Sequence, residues 1–319
     1  MQITMADIEY IGAGLDRPES VLATSSGKIF SSDHIAGVTA IGSTKVPLQC
    51  VPKGFMPNGI AMLPNHEFLI ANLGIDGGVW RIDGDHKLHP FLLEADGQSL
   101  SITNFVGLDD AKRMWVSVST RQIPRERAFR KDIADGFVVL MDSYGARIVA
   151  DGLGFTNECR VDPTGRWLYV NETFSRRLSR FEILNLDSRI TLGPKEIVYT
   201  FSDGDFPDGL TFDAESGVWV ACVVSNRVVR ITSNGNREVI LDAADPAITK
   251  IVDDRWRQEG LGRADIALGG ESPLRNVSSI AFGGADLKTV YLGCLAGDRI
   301  ATFRTTIQGA RPAHWNFDT

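Results

Sequence analysis

Hydrophobic and polar positions alternate along most of this chain in short runs, and the runs come in pairs. A polar residue opens an alternating apolar stretch, a turn with Asp, Pro or Gly follows, and a second run rich in β-branched and aromatic residues closes the unit. Alternation of period two predicts half-buried strands, and two such runs across a short turn predict a hairpin. The unit is about 14 residues long and recurs six times: ESVLATSSGKIFSSD from Glu19, NGIAMLPNHEFLIAN from Asn58, NFVGLDDAKRMWVSV from Asn104, NECRVDPTGRWLYVN from Asn157, DGLTFDAESGVWVAC from Asp208 and SSIAFGGADLKTVYLG from Ser278. Unit starts lie 39, 46, 53, 51 and 70 residues apart. Further alternating runs between them, GVWRID from Gly78, RLSRFEI from Arg177 and NRVVRIT from Asn226, read as outer strands. Inner hairpin plus outer strands makes one blade, so the predicted fold is all-β, a six-bladed β-propeller forming a single domain over residues 1–319.

Two insertions interrupt the pattern. Residues 120–134, TRQIPRERAFRKDIA, are strongly charged, and residues 245–275 carry a helical stretch, PAITKIVDDRWRQE, with Pro at its first turn. Each reads either as a solvated excursion or as a lid-like loop at one mouth of the central channel. Five basic residues between Arg121 and Lys131 would attract an anionic substrate there, and Arg121 is placed among the substrate contacts.

Composition narrows the class. Hydrophobic residues make up 43% and charged residues 23%, which excludes a disordered chain, and 32 glycines among 319 residues favour a turn-rich fold over a helical bundle. The net charge of −7 repels phosphate backbones and anionic membranes, so neither nucleic acid nor a membrane is an expected partner. Cys50, Cys159, Cys222 and Cys294 are far apart with no histidine near them, so they read as buried thiols of a reducing compartment. No basic-then-apolar segment opens the chain and no apolar run approaches a membrane span, so a cytoplasmic protein is expected, with homo-oligomerisation left open.

The first residue of each repeat carries the chemistry. In a propeller the innermost strands line the axis and their first residues meet at one mouth of the channel. Those residues are Glu19, Asn58, Asn104, Asn157, Asp208 and Ser278. Two carboxylates with neutral oxygens around one axis suit a hard divalent cation, Ca²⁺ first, with Mg²⁺, Mn²⁺ or Zn²⁺ as alternatives. The competing reading is local: Asn-Gly at Asn58 and Asp-Gly at Asp208 are ordinary turn dipeptides. It leaves Asn104 before Phe105 and Asn157 before Glu158 unexplained, and Glu is a poor turn residue. Motifs for a nucleophile elbow, a P-loop or an H-E-x-x-H zinc helix are lacking, and the five histidines are scattered.

The segments from Phe155, Phe206, Asn104 and Ser278 also resemble the senescence-marker-protein, gluconolactonase and luciferin-regenerating-enzyme family of six-bladed propellers, over about Ile11 to Phe303. The resemblance implies a calcium-type metal held by Glu19, Asn157 and Asp208. Asn104 matches the family's further asparagine, a ligand of metal or of substrate, and Asp208 is also the implied base or nucleophile. The sugar-lactone branch has Arg two residues before the Asn104 position and Asp just after it; here they are Ile102 and Phe105. Two apolar side chains there predict a pocket poor in partners for a polyol. Asn58 and Glu158 complete the expected substrate contacts. The function expected is metal-dependent hydrolysis of a relatively apolar lactone or cyclic ester, with Asp208, the metal, Glu158 or Asp205 activating water. Phosphoester or phosphofluoridate hydrolysis, a lyase or cyclase step, and a non-catalytic binding propeller with a structural metal are the alternatives.

Overall fold

The computed structural model describes residues 3–42, 46–47, 51–186 and 189–318. Six antiparallel sheets follow one another along the chain, each beginning with an inner strand from one repeat: Val21–Ala23, Pro57–Met62, Thr103–Leu108, Thr156–Val161, Asp205–Phe212 and Val277–Gly283. They are the blades of a six-bladed propeller, numbered here 1 to 6. The outer runs read from Gly78, Arg177 and Asn226 form the third strands, Val79–Ile82, Arg177–Leu186 and Arg227–Ile231.

Closure of the ring escaped the repeat analysis. Glu9–Ile11 crosses to the last blade and pairs antiparallel with Ile300–Arg304, Tyr10 opposite Ala301. Blade 6 is therefore built from both ends of the ring, joining them through backbone hydrogen bonds. A small hairpin, Glu94–Ala95 with Gln98–Ser99, was also not predicted and lies between blades 2 and 3.

Cohesion between blades comes from apolar layers, since successive side chains of each strand face opposite sides. Trp219 of blade 5 packs edge-on against Phe282 of blade 6 with centroids 4.9 Å apart. Phe105 and Trp115 of blade 3 share a buried cluster with Leu168 and Val170 of blade 4. The two tryptophans need a partner for each indole N–H. Trp115 donates to Asp109 at 2.9 Å and Trp219 to Asp213 at 2.8 Å, both acids standing in the turn of the same inner hairpin.

The insertions lie on the propeller as two connected pieces. Residues Arg125–Ala128 form a short 3₁₀ turn, while α1, Pro246–Arg257, starts at Asp245, whose carboxylate accepts from the Ala247 and Ile248 amides. A short α2, Arg263–Ala267, follows. Apolar residues from both insertions join one buried cluster: Ala128 and Phe129 from the first, Val252 and Leu261 from the second, with Phe155, Phe174 and Phe206 beneath them. Arg130 to Glu259 at 2.8 Å and Arg263 to Glu126 tie the pieces together. Arg176 anchors α1, paired with Asp253 and lying 4.0 Å from the ring centroids of both Phe206 and Trp256. Cys159, Cys222 and Cys294 are buried free thiols, whereas Cys50 lies outside the described residues. Among the described residues no helix is long and apolar enough to cross a membrane.

Candidate active site

Five of the six repeat-opening residues sit in β-bulges. The register of the inner strand slips between Pro57 and Ile60, Thr103 and Phe105, Thr156 and Cys159, Pro207 and Leu210, and Val277 and Ser279. Each slip brackets a repeat opener: Asn58, Asn104, Asn157, Asp208 or Ser278. A bulge leaves a residue out of the ladder and re-aims its side chain. Asn58, Asn104, Asn157 and Asp208, together with Glu19 just before the strand Val21–Ala23, line one pocket of about 80 Å³ at the channel mouth. Ser278 is spent elsewhere, its hydroxyl donating to the Glu19 carbonyl at 2.9 Å.

The glycines after Asn58 and Asp208 answer the turn-dipeptide reading. Both lie within strands, and neither has positive φ. A Cβ on Gly59 would stand 2.7 Å from Phe105 Cα, and one on Gly209 2.7 Å from Ser279 Cα. Glycine is needed because the next blade's inner strand presses against it. Gly209→Ala is expected to cost roughly 1–3 kcal/mol of stability, as overpacking does, and to displace Asp208. Urea unfolding with metal titration checks this; an unchanged midpoint and metal affinity would show that the blades give way freely.

Hydrogen bonds orient the openers. Asn58 Oδ1 accepts from Arg17 at 2.9 Å, and its Nδ2 is shared by Glu19 Oε1 at 3.2 Å, the Asn104 carbonyl at 2.8 Å and Asn104 Oδ1 at 3.2 Å. Asn58 is thus a brace with no free group of its own. Asn104 donates to Ser119 Oγ at 3.1 Å and Asn157 to Thr173 Oγ at 3.0 Å, which turns both amide oxygens the other way. Glu19 Oε2 and Asn157 Oδ1 remain buried with no hydrogen-bond partner. Such oxygens are costly unless something fills the gap between them. Among the described residues no three His, Cys, Asp or Glu cluster as a metal set, so the oxygens that fit a hard cation are two carboxylates plus carboxamides.

Electrostatics match that vacancy of partners. Burial pushes the Glu19 carboxyl up to about 8, offset in part by Arg17 and reinforced by Glu158. Asp208 is raised well above the carboxylate range by burial and by the Glu19 and Glu158 charges. Burial lowers Arg17, and it brings Arg125 down to about 10 with help from Arg17 and Arg263. Among the described residues neither arginine comes within the 4.0 Å of an ion pair with Glu19 or Asp208.

A larger cavity, about 280 Å³, opens at the other end of the channel beside Asp109, Asp162 and His314. The three polar residues named have partners within the protein: Asp109 in Arg113 and Trp115, Asp162 in backbone amides, and His314 in the Ala23 carbonyl.

Residues 38–252 match the family described as SMP-30/Gluconolactonase/LRE-like region. The chain belongs to that family. It is 25% identical over 229 residues to a 6-deoxy-6-sulfogluconolactonase of Pseudomonas putida and 24% identical over 217 residues to the pentonolactonase XacC of Haloferax volcanii. These alignments cover 70% and 68% of this chain but only 64% and 60% of the relatives' own length. A calcium-binding protein of Agrobacterium tumefaciens, regucalcin, has the same fold, with TM-score 0.68, 16% identity, and 94% and 95% of the two chains covered.

Of the expected substrate residues, Asn58 lines the pocket and Ile102, Phe105, Arg121 and Glu158 lie outside it. Ile102 is buried but does not line the pocket; it occupies a left-handed turn, φ +60°, just before the bulge. Phe105 lies past the bulge and faces the layer between blades, with the Arg160 guanidinium 4.7 Å from its ring centroid. Arg121 pairs with Asp151 at 2.8 Å and stacks on Phe137, outside the pocket. Glu158 is buried outside the pocket lining, its Oε2 held by the Leu210 amide and Arg160 and its Oε1 without a hydrogen-bond partner. Asp205 is consumed by Arg227 and Arg237.

The pocket wall comes from residues the sequence reading passed over. Phe129, Phe155 and Phe174 form it, with centroids 4.3 to 5.3 Å apart, and Arg17 and Arg125 are its cations. One signal was available. Arg17 and Phe155 stand two residues before Glu19 and Asn157, at the place Ile102 holds before Asn104, and all three share a left-handed backbone.

Proposed function

We propose that this chain is a divalent-metal-dependent lactonase whose substrate presents an apolar body to the phenylalanine wall. The observation that carries this reading is the meeting of unspent, buried oxygens, Glu19 Oε2 and Asn157 Oδ1, beside Asp208 at the floor of a pocket with an aromatic side. The lactonase names of the two relatives and the calcium-binding description of the structural neighbour support it.

Glu19, Asn157 and Asp208 would hold the cation, and Asn104 Oδ1, which accepts one bond from Asn58, would have a second lone pair to offer it. A hard divalent cation, Ca²⁺ first, supplies Lewis-acid stabilisation of the charge that develops on the ester carbonyl. Asp208 takes the proton of the attacking water as the new C–O bond forms and returns it to the ring oxygen as the old C–O bond breaks, giving a hydroxy acid. Asp208 is preferred for that task because Glu158 and Asp205 do not line the pocket, and both carboxylate oxygens of Asp205 are held by arginines. The phenylalanines exclude water from the side facing the substrate body, which strengthens every charge interaction on the floor.

A screen of aliphatic, aromatic and sugar lactones, after chelation and after return of single metals, tests the reading. Acid release restored by one metal is expected, with kcat/KM on an aliphatic or aromatic lactone at least about tenfold above gluconolactone. Absence of metal-dependent release across the panel would overturn the assignment.

A further inference from the structure

Of the basic residues in the first insertion, Arg121 pairs with Asp151, Arg130 with Asp132 and Glu259, and Lys131 reaches the Arg257 carbonyl. Arg127 has no side-chain partner among the described residues but is exposed and lies outside the pocket, and Arg125 differs from all of these. It lines the pocket, its Nε is buried without a hydrogen-bond partner, and no hydrogen bond or ion pair engages its guanidinium among the described residues. Arg17 faces the same space but is fixed by the Pro57 carbonyl at 3.2 Å and Asn58 at 2.9 Å.

The charges lining the pocket are two carboxylates, Glu19 and Asp208, and these two arginines. A divalent cation on the carboxylates satisfies them and leaves both guanidiniums without a counter-charge in a space walled by phenylalanines. Desolvated cations of that kind are costly to leave unpaired. We propose that the substrate carries an anionic group, a carboxylate or sulfonate on an apolar body, and that Arg125 receives it. The planar fork of a guanidinium suits two oxygens of such a group, and its freedom from internal partners leaves that fork available. Phe129, four residues on, sets the apolar body against the aromatic wall in reach of the same loop. Cation and anion then support one another: each relieves the repulsion the other would meet, so their binding is positively coupled.

This inference rests on the metal-lactonase reading for the identity of the reacting ring but not for its test. Benzoate and its neutral isostere benzamide are unreactive probes of the anionic group. Calorimetry on the calcium-loaded protein is expected to show benzoate binding at least about tenfold tighter than benzamide, a preference erased in Arg125→Gln, retained in part in Arg125→Lys, and weakened after chelation. Equal affinities in the parent, or a benzoate preference untouched in Arg125→Gln, would overturn it. In a kinetic arm, γ-butyrolactone is compared with its γ-carboxylate; Arg125→Gln is expected to raise KM for the charged lactone alone, and an equal effect on both would count against the proposal. Benzoate preference without hydrolysis of any lactone would sink the lactonase reading and leave the anion site standing. Hydrolysis indifferent to substrate charge and to Arg125 would do the reverse.

Discussion

Asp208→Asn is expected to lower kcat/KM on the best lactone by about a thousandfold, the loss typical when a general base is removed. The substitution keeps the shape of the side chain, and the bond that the Asn171 side-chain Nδ2 donates to the Asp208 main-chain carbonyl, 2.9 Å, does not depend on the acid. The metal-free fold should therefore survive, with a melting temperature equal to or above the metal-free parent, because a buried carboxyl whose ionisation is disfavoured has been replaced by a neutral amide. Two functions are lost together: a proton acceptor, and half of the negative charge that holds the cation. Metal affinity should fall as well, so the assay is run at saturating metal to separate the effects. Activity within tenfold of the parent under those conditions would remove Asp208 from the reaction and return the question to Glu158, after release from Arg160.

The second large effect is a dependence of stability on pH that metal reverses. In the metal-free protein the Glu19 carboxyl is pushed up to about 8 from its ordinary 4.5, chiefly by burial, and Asp208 is displaced in the same direction. A raised carboxyl means that the folded chain holds a proton the unfolded chain has already released. Stability therefore falls as pH rises from about 4.5 to about 8 and levels off above that. A bound divalent cation needs the charged carboxylates and cancels the loss. Calcium should therefore raise the melting temperature little near pH 5 and by at least about 4 °C near pH 8. Glu19→Gln should flatten the metal-free slope and shrink the calcium effect. A calcium-induced shift that is independent of pH, or larger in acid, would show that the cation binds elsewhere.

Much of this architecture is readable from the chain because it repeats. Strand alternation and a polar opener recur in six copies, so each blade carries its own hairpin signal, and the opener's place in the copy names Glu19, Asn58, Asn104, Asn157, Asp208 and Ser278 alike without any contact being known. The helical segment of the second insertion was legible for an equally local reason: Asp245 caps it and Pro246 begins it. The closing strand Glu9–Ile11 was not, since three residues with no repeat partner show nothing of the strand they will meet almost 300 positions away.

The substrate side of the pocket belongs to the same division. Ile102 and Phe105 neighbour Asn104 in sequence, yet the bulge at Asn104 breaks the alternation on which any sidedness rule depends, and Phe105 turns into the layer between blades. Arg121 and Arg125 are near neighbours in one charged run. Asp151, brought up from the outer strand of the same blade, occupies the first, and no acid of the described residues occupies the second. Local pattern dictates strands, turns and helix starts because those depend on residues within a few positions. The unpaired guanidinium of Arg125, the unspent oxygens and the aromatic wall depend on which distant groups remain after every other partner has been matched, and that pairing exists only once the ring has closed.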